Sequence, residues 1–239
     1  MTPSINNRRK GLQVRTQSEG WPGGQGIAAA TRLLLGTNNP GKVREYRELL
    51  QRVPFTIITP ASENLDGEVD ETGSTFEENA LLKARHFARA SGLLTLADDS
   101  GLEVDALNGE PGVWSARYGG PGLTDEQRVT LLLSETSEVP WEQRTARFRC
   151  VIALVWPSGD EATMEGSCEG YIAYEPKGTN GFGYDPVFYW PELGKTFAEL
   201  DSATKHRLSH RGQAARKAVE RLRNLSPSRS EPKRKAIGT

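Results

Sequence analysis

The sequence predicts an α/β fold, on three observations. Apolar runs of strand length at residues 32–35, 55–59 and 93–97 alternate with longer segments whose apolar residues recur at helical spacing. Thr75 with Glu78, and Thr124 with Gln127, have the spacing of capping boxes and set the start of two helices. Pro157, Ser158, Gly159 and Asp160 separate two further strand-like runs with the turn chemistry of a hairpin.

Residues 1–30 are rich in Gly, Asn, Gln and Arg, show no hydrophobic periodicity and lack the apolar centre of a secretory signal, so they read as a disordered extension. Strand 32–35 opens the folded part. Helix 40–51 follows, with Asn39 suited to the N-cap, Pro40 to the first helical position, and Val43, Tyr46, Leu49 and Leu50 at helical spacing. Strand 55–59 precedes the helix capped by Thr75, which stops near Ser91 and Gly92. Strand 93–97 is expected to end at Asp98 and Asp99, with Ser100 and Gly101 making a tight turn. Beyond it Leu102, Val104 and Ala106 alternate with Glu103 and Asp105 as a half-exposed strand. Helix 125–135 comes before the hairpin of 145–156 and 163–173. A last helix over 212–224 carries Ala215, Ala218, Val219 and Leu222 on one face, and the tail 226–239, with Pro227, Pro232 and Lys233-Arg234-Lys235, reads as unstructured. The folded domain is therefore expected over 31–225.

The 239 residues, 36% of them hydrophobic, suffice for one large domain or two small ones. A net charge of −1 argues against a dedicated nucleic-acid binder, whose phosphate contacts need an excess of Lys and Arg. No run approaches the about 18 uninterrupted apolar residues of a membrane span. Cys150, inside an apolar run, and Cys168 are too few for a disulfide framework and point to a reducing, cytoplasmic location.

The charge is uneven along the chain. Seven carboxylates and no Lys or Arg lie within 61–82, whereas 205–223 holds seven Lys or Arg against the single acid Glu220. Folding is expected to set these two poles on opposite walls of one cleft; otherwise they are two solvated faces. Asp98 and Asp99 at the end of a buried strand concentrate negative charge where a metal ion would relieve it, although Asp98 can equally cap the turn through backbone N–H groups. The helix start at Asn39, Pro40 and Gly41, with Lys42, offers N–H groups and an ammonium to phosphate oxygens. Lys205, His206, Arg207, His210 and Arg211 crowd five cationic or ionisable groups into one short segment. Together these features fit a polyphosphate and its metal.

Gly36 to Lys42 nearly spells a P-loop, but Val43 stands where Ser or Thr would hold Mg²⁺, and Pro40 removes an N–H donor. Gly178, Gly181 and Gly183 let a ligand approach the backbone, and Phe182 is either a stacking surface for a base or part of a connecting loop. Tyr184 is the better candidate for the core.

Five ordered motifs then become familiar: Thr37-Asn38-Asn39-Pro40-Gly41-Lys42; Glu71-Thr72-Gly73 with Phe76-Glu77-Glu78-Asn79-Ala80; Asp98-Asp99-Ser100-Gly101-Leu102; Phe182-Gly183-Tyr184-Asp185-Pro186; and Ser209-His210-Arg211-Gly212. In order and spacing they resemble the inosine/xanthosine triphosphate pyrophosphatase family over about residues 32–225. The resemblance implies an elongated, two-lobed α/β protomer with a central mixed sheet, a nucleotide cleft between the lobes, and a homodimer. It implies hydrolysis of ITP, dITP and XTP to monophosphate and pyrophosphate with Mg²⁺, which keeps deaminated bases out of DNA and RNA. By the same resemblance Asp99 is the general base and a metal-linked carboxylate, and Glu71 supports the ion. Thr37, Asn38, Asn39, Gly41, Lys42, Lys83 and Lys205 would hold the triphosphate, and Ser100 would touch the substrate. Phe182, Gly183, Tyr184, Asp185, His210 and Arg211 would form the base pocket.

Elementary chemistry agrees with that assignment. Attack at phosphorus meets a polyanion, so its charge must be neutralised before a water deprotonated by a carboxylate can approach. Adjacent Asp98 and Asp99 would repel, raising one pKa, while a metal pulls the other way. A 6-oxo purine presents an acceptor where adenine presents a donor, so N–H donors from His210, Arg211 or the Phe182 loop would discriminate against adenine. The alternatives are a related pyrophosphatase acting on other modified nucleotides and a nucleotide-binding protein without turnover. His86, Lys195 and His206 read as surface or packing residues.

Overall fold

The computed structural model describes residues 31–65 and 69–224; the extension over 1–30 and the tail over 226–239 lie outside them. Seven strands form one mixed sheet in the order β2-β1-β3-β4-β5-β6-β7. β1 (Thr31–Leu35) pairs in parallel with β2 (Phe55–Ile58) and β3 (Thr95–Val104). β4 (Thr145–Val155), β5 (Glu161–Ile172), β6 (Phe188–Trp190) and β7 (Lys195–Thr196) continue it with antiparallel pairings.

The helices begin where the capping residues predict. α1 (Pro40–Leu49) is capped by Asn39 with Pro40 in its first turn. α2 (Phe76–Ser91) has the Thr75/Glu78 capping box and ends on Gly92 at φ 67°. α3 (Asp125–Glu135) has the Thr124/Gln127 box. The last helix, expected over 212–224, is present, but the helical region around it begins earlier. It is two helices, α4 (Ser202–Leu208), capped by Asp201, and α5 (His210–Asn224), broken at Ser209, whose backbone is extended. Gly212 makes this corner possible, because a Cβ there would lie 1.8 Å from the His206 carbonyl oxygen.

A second difference bears on the site. Residues 98–101 are not a turn but the middle of β3, paired residue by residue with β4 from Thr95↔Val155 to Val104↔Ala146. The glycine that reads as a turn signal serves a close approach instead: a Cβ on Gly101 would meet the Gly112 carbonyl at 2.3 Å and Ser115 Oγ at 2.5 Å.

Because β3 and β4 are long, they thread three apolar clusters. Leu96, Cys150 and Ile152 pack against Tyr46 of α1 and Ala214, Ala215, Ala218 and Leu222 of α5. On the opposite face Ala97, Val151 and Ala153 meet Phe76, Ala80 and Ala84 of α2. Farther along, Leu102, Val104 and Phe148 join Val129 and Leu132 of α3 with Tyr184, Phe188 and Phe197. Asp98, Asp99 and Ser100 fall where β3 passes from the first two clusters to the third, and Asp99 and Ser100 face a gap between apolar cores.

Candidate active site

That gap is a cavity of about 480 Å³. Its wall includes Thr37, Asn38, Asn39 and Lys42 from the start of α1, and Glu71, Lys83, Asp99 and Ser100 around β3. Phe182, Gly183, Tyr184, Asp185, Lys205, His210 and Arg211 line the other side, so the expected residues converge, apart from Gly41. Gly41 lies under Phe182: a Cβ on it would touch that ring at 2.7 Å.

Helix α2 grips Asp99 by both oxygens. Lys83 Nζ donates to Asp99 Oδ1 at 2.9 Å, and Asn79 Nδ2, one helical turn earlier, donates to Oδ2 at 3.2 Å. The same Lys83 ammonium lies 2.6 Å from Glu71 Oε1. Two carboxylates therefore converge on one cationic point, a donor set suited to a hard divalent cation. Burial pushes the pKa of Asp99 up, and the opposing pull of Lys83 and Lys42 leaves it raised. Lys83 is itself buried, which favours loss of its proton, but Asp99 and Glu71 outweigh this and raise its pKa.

On the opposite face of β3, Asp98 is buried against Lys42 Nζ at 3.1 Å and Arg211 Nη2 at 3.3 Å. Burial alone would raise its pKa, but Lys42 and then Arg211 hold it well below the carboxylate range. Asp98 does not line the cavity and caps no turn.

The expectation of opposed acidic and basic walls gives way to interleaved charge. Among the described carboxylates of the acidic segment only Glu71 reaches the cavity; Glu78 is spent on the α2 cap and Glu77 accepts a hydrogen bond from Thr163. From the basic segment Lys205 and Arg211 enter, but both are buried among acids. Lys205 pairs with Asp185 and, at 2.7 Å, with Glu45; Arg211 pairs with Glu45 at 2.8 Å and donates to Ser100 Oγ at 2.7 Å. The Phe182 ring covers this group, 5.2 Å from Lys205 Nζ and 5.3 Å from Arg211 Cζ. His210 stacks on Phe148 at 4.6 Å, and burial, then the neighbouring Arg211 charge, push its pKa well below 6.5. It is a neutral imidazole, not a cation.

The helix start is also more occupied than expected. Lys42 N–H donates to Asn39 Oδ1 at 3.0 Å and Asn39 N–H to Thr37 Oγ1 at 3.2 Å. Tyr184, as expected, is core, and its hydroxyl donates to the Ser115 carbonyl.

Sequence reasoning passed over Glu45, which holds both buried cations, and Arg117, Asp125 and Arg128, which line the cavity. Asp125 accepts from Gly183 N–H at 2.9 Å and ties α3 to the Phe182 loop. Glu45 sits three residues from Lys42 on the buried face of α1, the one signal that would have found it.

Residues 33–221 match the Ham1 family. The chain belongs to the Ham1 family. It is 52% identical over 194 residues to a dITP/XTP pyrophosphatase of Desulforamulus reducens, covering 81% of this chain and 96% of that protein. A dITP/XTP pyrophosphatase of Thermus thermophilus is 50% identical over 202 residues, covering 84% and 97%. Among solved Ham1 structures, the Staphylococcus aureus protein superposes with a TM-score of 0.73 at 40% identity, covering 81% of this chain and 99% of that one. The Coxiella burnetii protein gives 0.74 at 43% identity, with the same coverage.

Proposed function

We propose that this Ham1 protein hydrolyses non-standard purine nucleoside triphosphates, ITP, dITP and XTP, to the monophosphate and pyrophosphate. The observation that carries the reading is the convergence of Glu71 and Asp99 on Lys83 in a cavity that Lys42 also lines.

In this reading Thr37, Asn38, Asn39 and Lys42 hold the phosphate chain, and Ser100 hydrogen bonds to it. Asp99, a carboxylate whose burial makes it more basic than usual, accepts the proton of the attacking water. Lys83 holds Asp99 in place and balances its charge. Glu71 and Asp99 would hold Mg²⁺, which when bound neutralises phosphate charge and activates water. Among the described residues no three His, Cys, Asp or Glu side chains cluster for a metal, which suits an ion that takes its remaining ligands from phosphate and water. Phe182, with Gly183, Tyr184 and Asp185, covers the base, and His210 and Arg211 supply N–H donors toward a 6-oxo group. Such donors are left unpaired by adenine.

We further read the protein as a homodimer of a reducing, cytoplasmic compartment. For the compartment, support comes from two buried free thiols, Cys150 and Cys168; the homodimer is what the family resemblance implies.

The test is pyrophosphate release across ITP, XTP, dITP, GTP and ATP, with and without Mg²⁺. One pyrophosphate per ITP consumed is expected. Orthophosphate as the first product, or ITP binding without turnover, would overturn the reading.

A further inference from the structure

Asn79 is fully buried, with no exposed surface, and both ends of its amide are used. Oδ1 accepts from Gly73 N–H at 2.8 Å, and Nδ2 donates to Asp99 Oδ2 at 3.2 Å. A backbone N–H can only donate and an ionised carboxylate only accept, so this environment permits one orientation of the amide. Gly73 lies two residues from Glu71, and a Cβ on it would meet Asn79 Oδ1 at 2.7 Å, so the glycine allows the loop to lie against α2.

Asn79 and Lys83 are thus parallel rungs, one turn apart on α2, each linking the Glu71 loop to Asp99. They differ in placement. The Lys83 ammonium sits between the two carboxylates, where a divalent cation would compete with it. Asn79 touches Asp99 through the other oxygen and reaches the loop through its main chain, outside that position.

We propose that Asn79 is a positioning residue for hydrolysis, the rung that keeps Glu71 and Asp99 in register whether or not Lys83 remains between them. This rests on the pyrophosphatase reading.

Asn79→Asp is nearly isosteric, keeps an acceptor for Gly73, and replaces the donor facing Asp99 with an oxygen. It is expected to lower kcat for pyrophosphate release from ITP by about 100-fold, with KM changed less than about threefold. Mn²⁺ binding without nucleotide, followed by calorimetry on Asn79→Ser, which adds no charge beside the two carboxylates, is expected to weaken by about tenfold, as when an outer partner of a metal ligand is lost. Asn79→Ser, which loses both bonds, should fall at least as far in kcat. In the wild type, the Gly73 amide should be protected from hydrogen exchange with and without Mg²⁺.

A kcat for Asn79→Asp within about threefold of wild type, or a loss that merely tracks the unfolded fraction, overturns the proposal. If neither variant folds, the wild-type exchange decides: a Gly73 amide exchanging like an exposed loop overturns it. A wild type that releases no pyrophosphate from ITP overturns the pyrophosphatase reading and this inference together. An active wild type with an unaffected Asn79→Asp overturns this inference alone.

Discussion

Asp98 and Asp99 are neighbours in β3 and share no hydrogen-bonding partner. Side chains alternate across a strand, so Asp98 faces α1 and α5 and bonds to Lys42 and Arg211, while Asp99 faces α2 and bonds to Asn79 and Lys83. The sheet places two carboxylates in opposite environments: one held well below the usual range, one raised above it.

Exchanging either for its amide separates the two roles. Asp99→Asn is expected to lower turnover by about 10³-fold or more with little change in stability, since it removes the proton acceptor and keeps the shape. Asp98→Asn leaves the buried cations Lys42 and Arg211 short of countercharge and is expected to cost about 3–5 kcal/mol. Urea denaturation beside pyrophosphate kinetics checks both; the reverse ranking would assign the roles wrongly.

The capping residues and alternation made the folded frame legible, because a cap and its periodic face are local. The hairpin turn at 157–160, the α2 start at Thr75 and its stop at Gly92 needed no tertiary information. Gly101 was misleading because a close backbone approach and a turn leave the same residue. The motif residues Thr37, Lys42, Glu71, Asp99 and Arg211 could be picked out by order and spacing. Their charge pairing could not, since Glu45 meets Lys205 across 160 positions of sequence. The helix α4 was missed for a similar reason: its seven residues are too few to show a period.

Gly41→Ala tests the seat of Phe182. Gly41 is the second residue of α1, and a Cβ there would also press on the capping Asn39 Oδ1 at 3.1 Å, so a modest loss of stability is expected. The added methyl would sit 2.7 Å from the Phe182 ring and displace it from above Lys205 and Arg211. A KM for ITP raised by about tenfold, with kcat less affected, is expected, as for uniform loss of binding. An unchanged KM would free Phe182 from any part in binding.

Acid should weaken the fold in two steps. His210 is neutral in the folded state, its pKa pushed well below 6.5 by burial and by Arg211, whereas the unfolded chain takes up the proton at its ordinary value. Its contribution is full above about pH 6.5 and lost as the pH falls below that. Burial would raise the pKa of Glu45, but Arg211 and Lys205 together bring it from 4.5 down to about 2. That contribution is present above 4.5, is lost as pH falls toward 2, and is on the order of 3 kcal/mol. Urea midpoints followed down the acid range should show both declines. His210→Phe, which preserves the stack on Phe148, should erase the upper one and leave the lower.

Arg144 is 1% exposed and pairs with no carboxylate among the described residues. Its guanidinium donates to the carbonyls of Ile172, Thr136, Val139 and Ala173 and to the Thr136 hydroxyl, with the Tyr174 ring 4.5 Å away. A lysine ammonium has three donors and no planar fork, so Arg144→Lys strands at least two buried acceptors. A loss of about 2–5 kcal/mol is expected in urea denaturation, with the kcat of the remaining folded enzyme unchanged. Full stability in that variant would show that water replaces the guanidinium.

Lys83 supplies the last test, because it pairs with the same two carboxylates that in the proposed reading would hold Mg²⁺. Without metal, its ammonium neutralises Glu71 and Asp99 at 2.6 and 2.9 Å. Lys83→Met leaves those carboxylates facing each other with no cation, so the metal-free protein should be less stable than wild type. A ligand stabilises the folded state in proportion to its affinity for it, and in the variant Mg²⁺ meets no competing ammonium. The rise in Tm on adding Mg²⁺ should therefore be larger for Lys83→Met than for wild type, even though the variant loses turnover. Chelation should reverse the shift in both proteins and abolish pyrophosphate release in the wild type. Equal shifts would mean that the ion is held away from the Lys83 position, and the two-carboxylate site would then have to be abandoned.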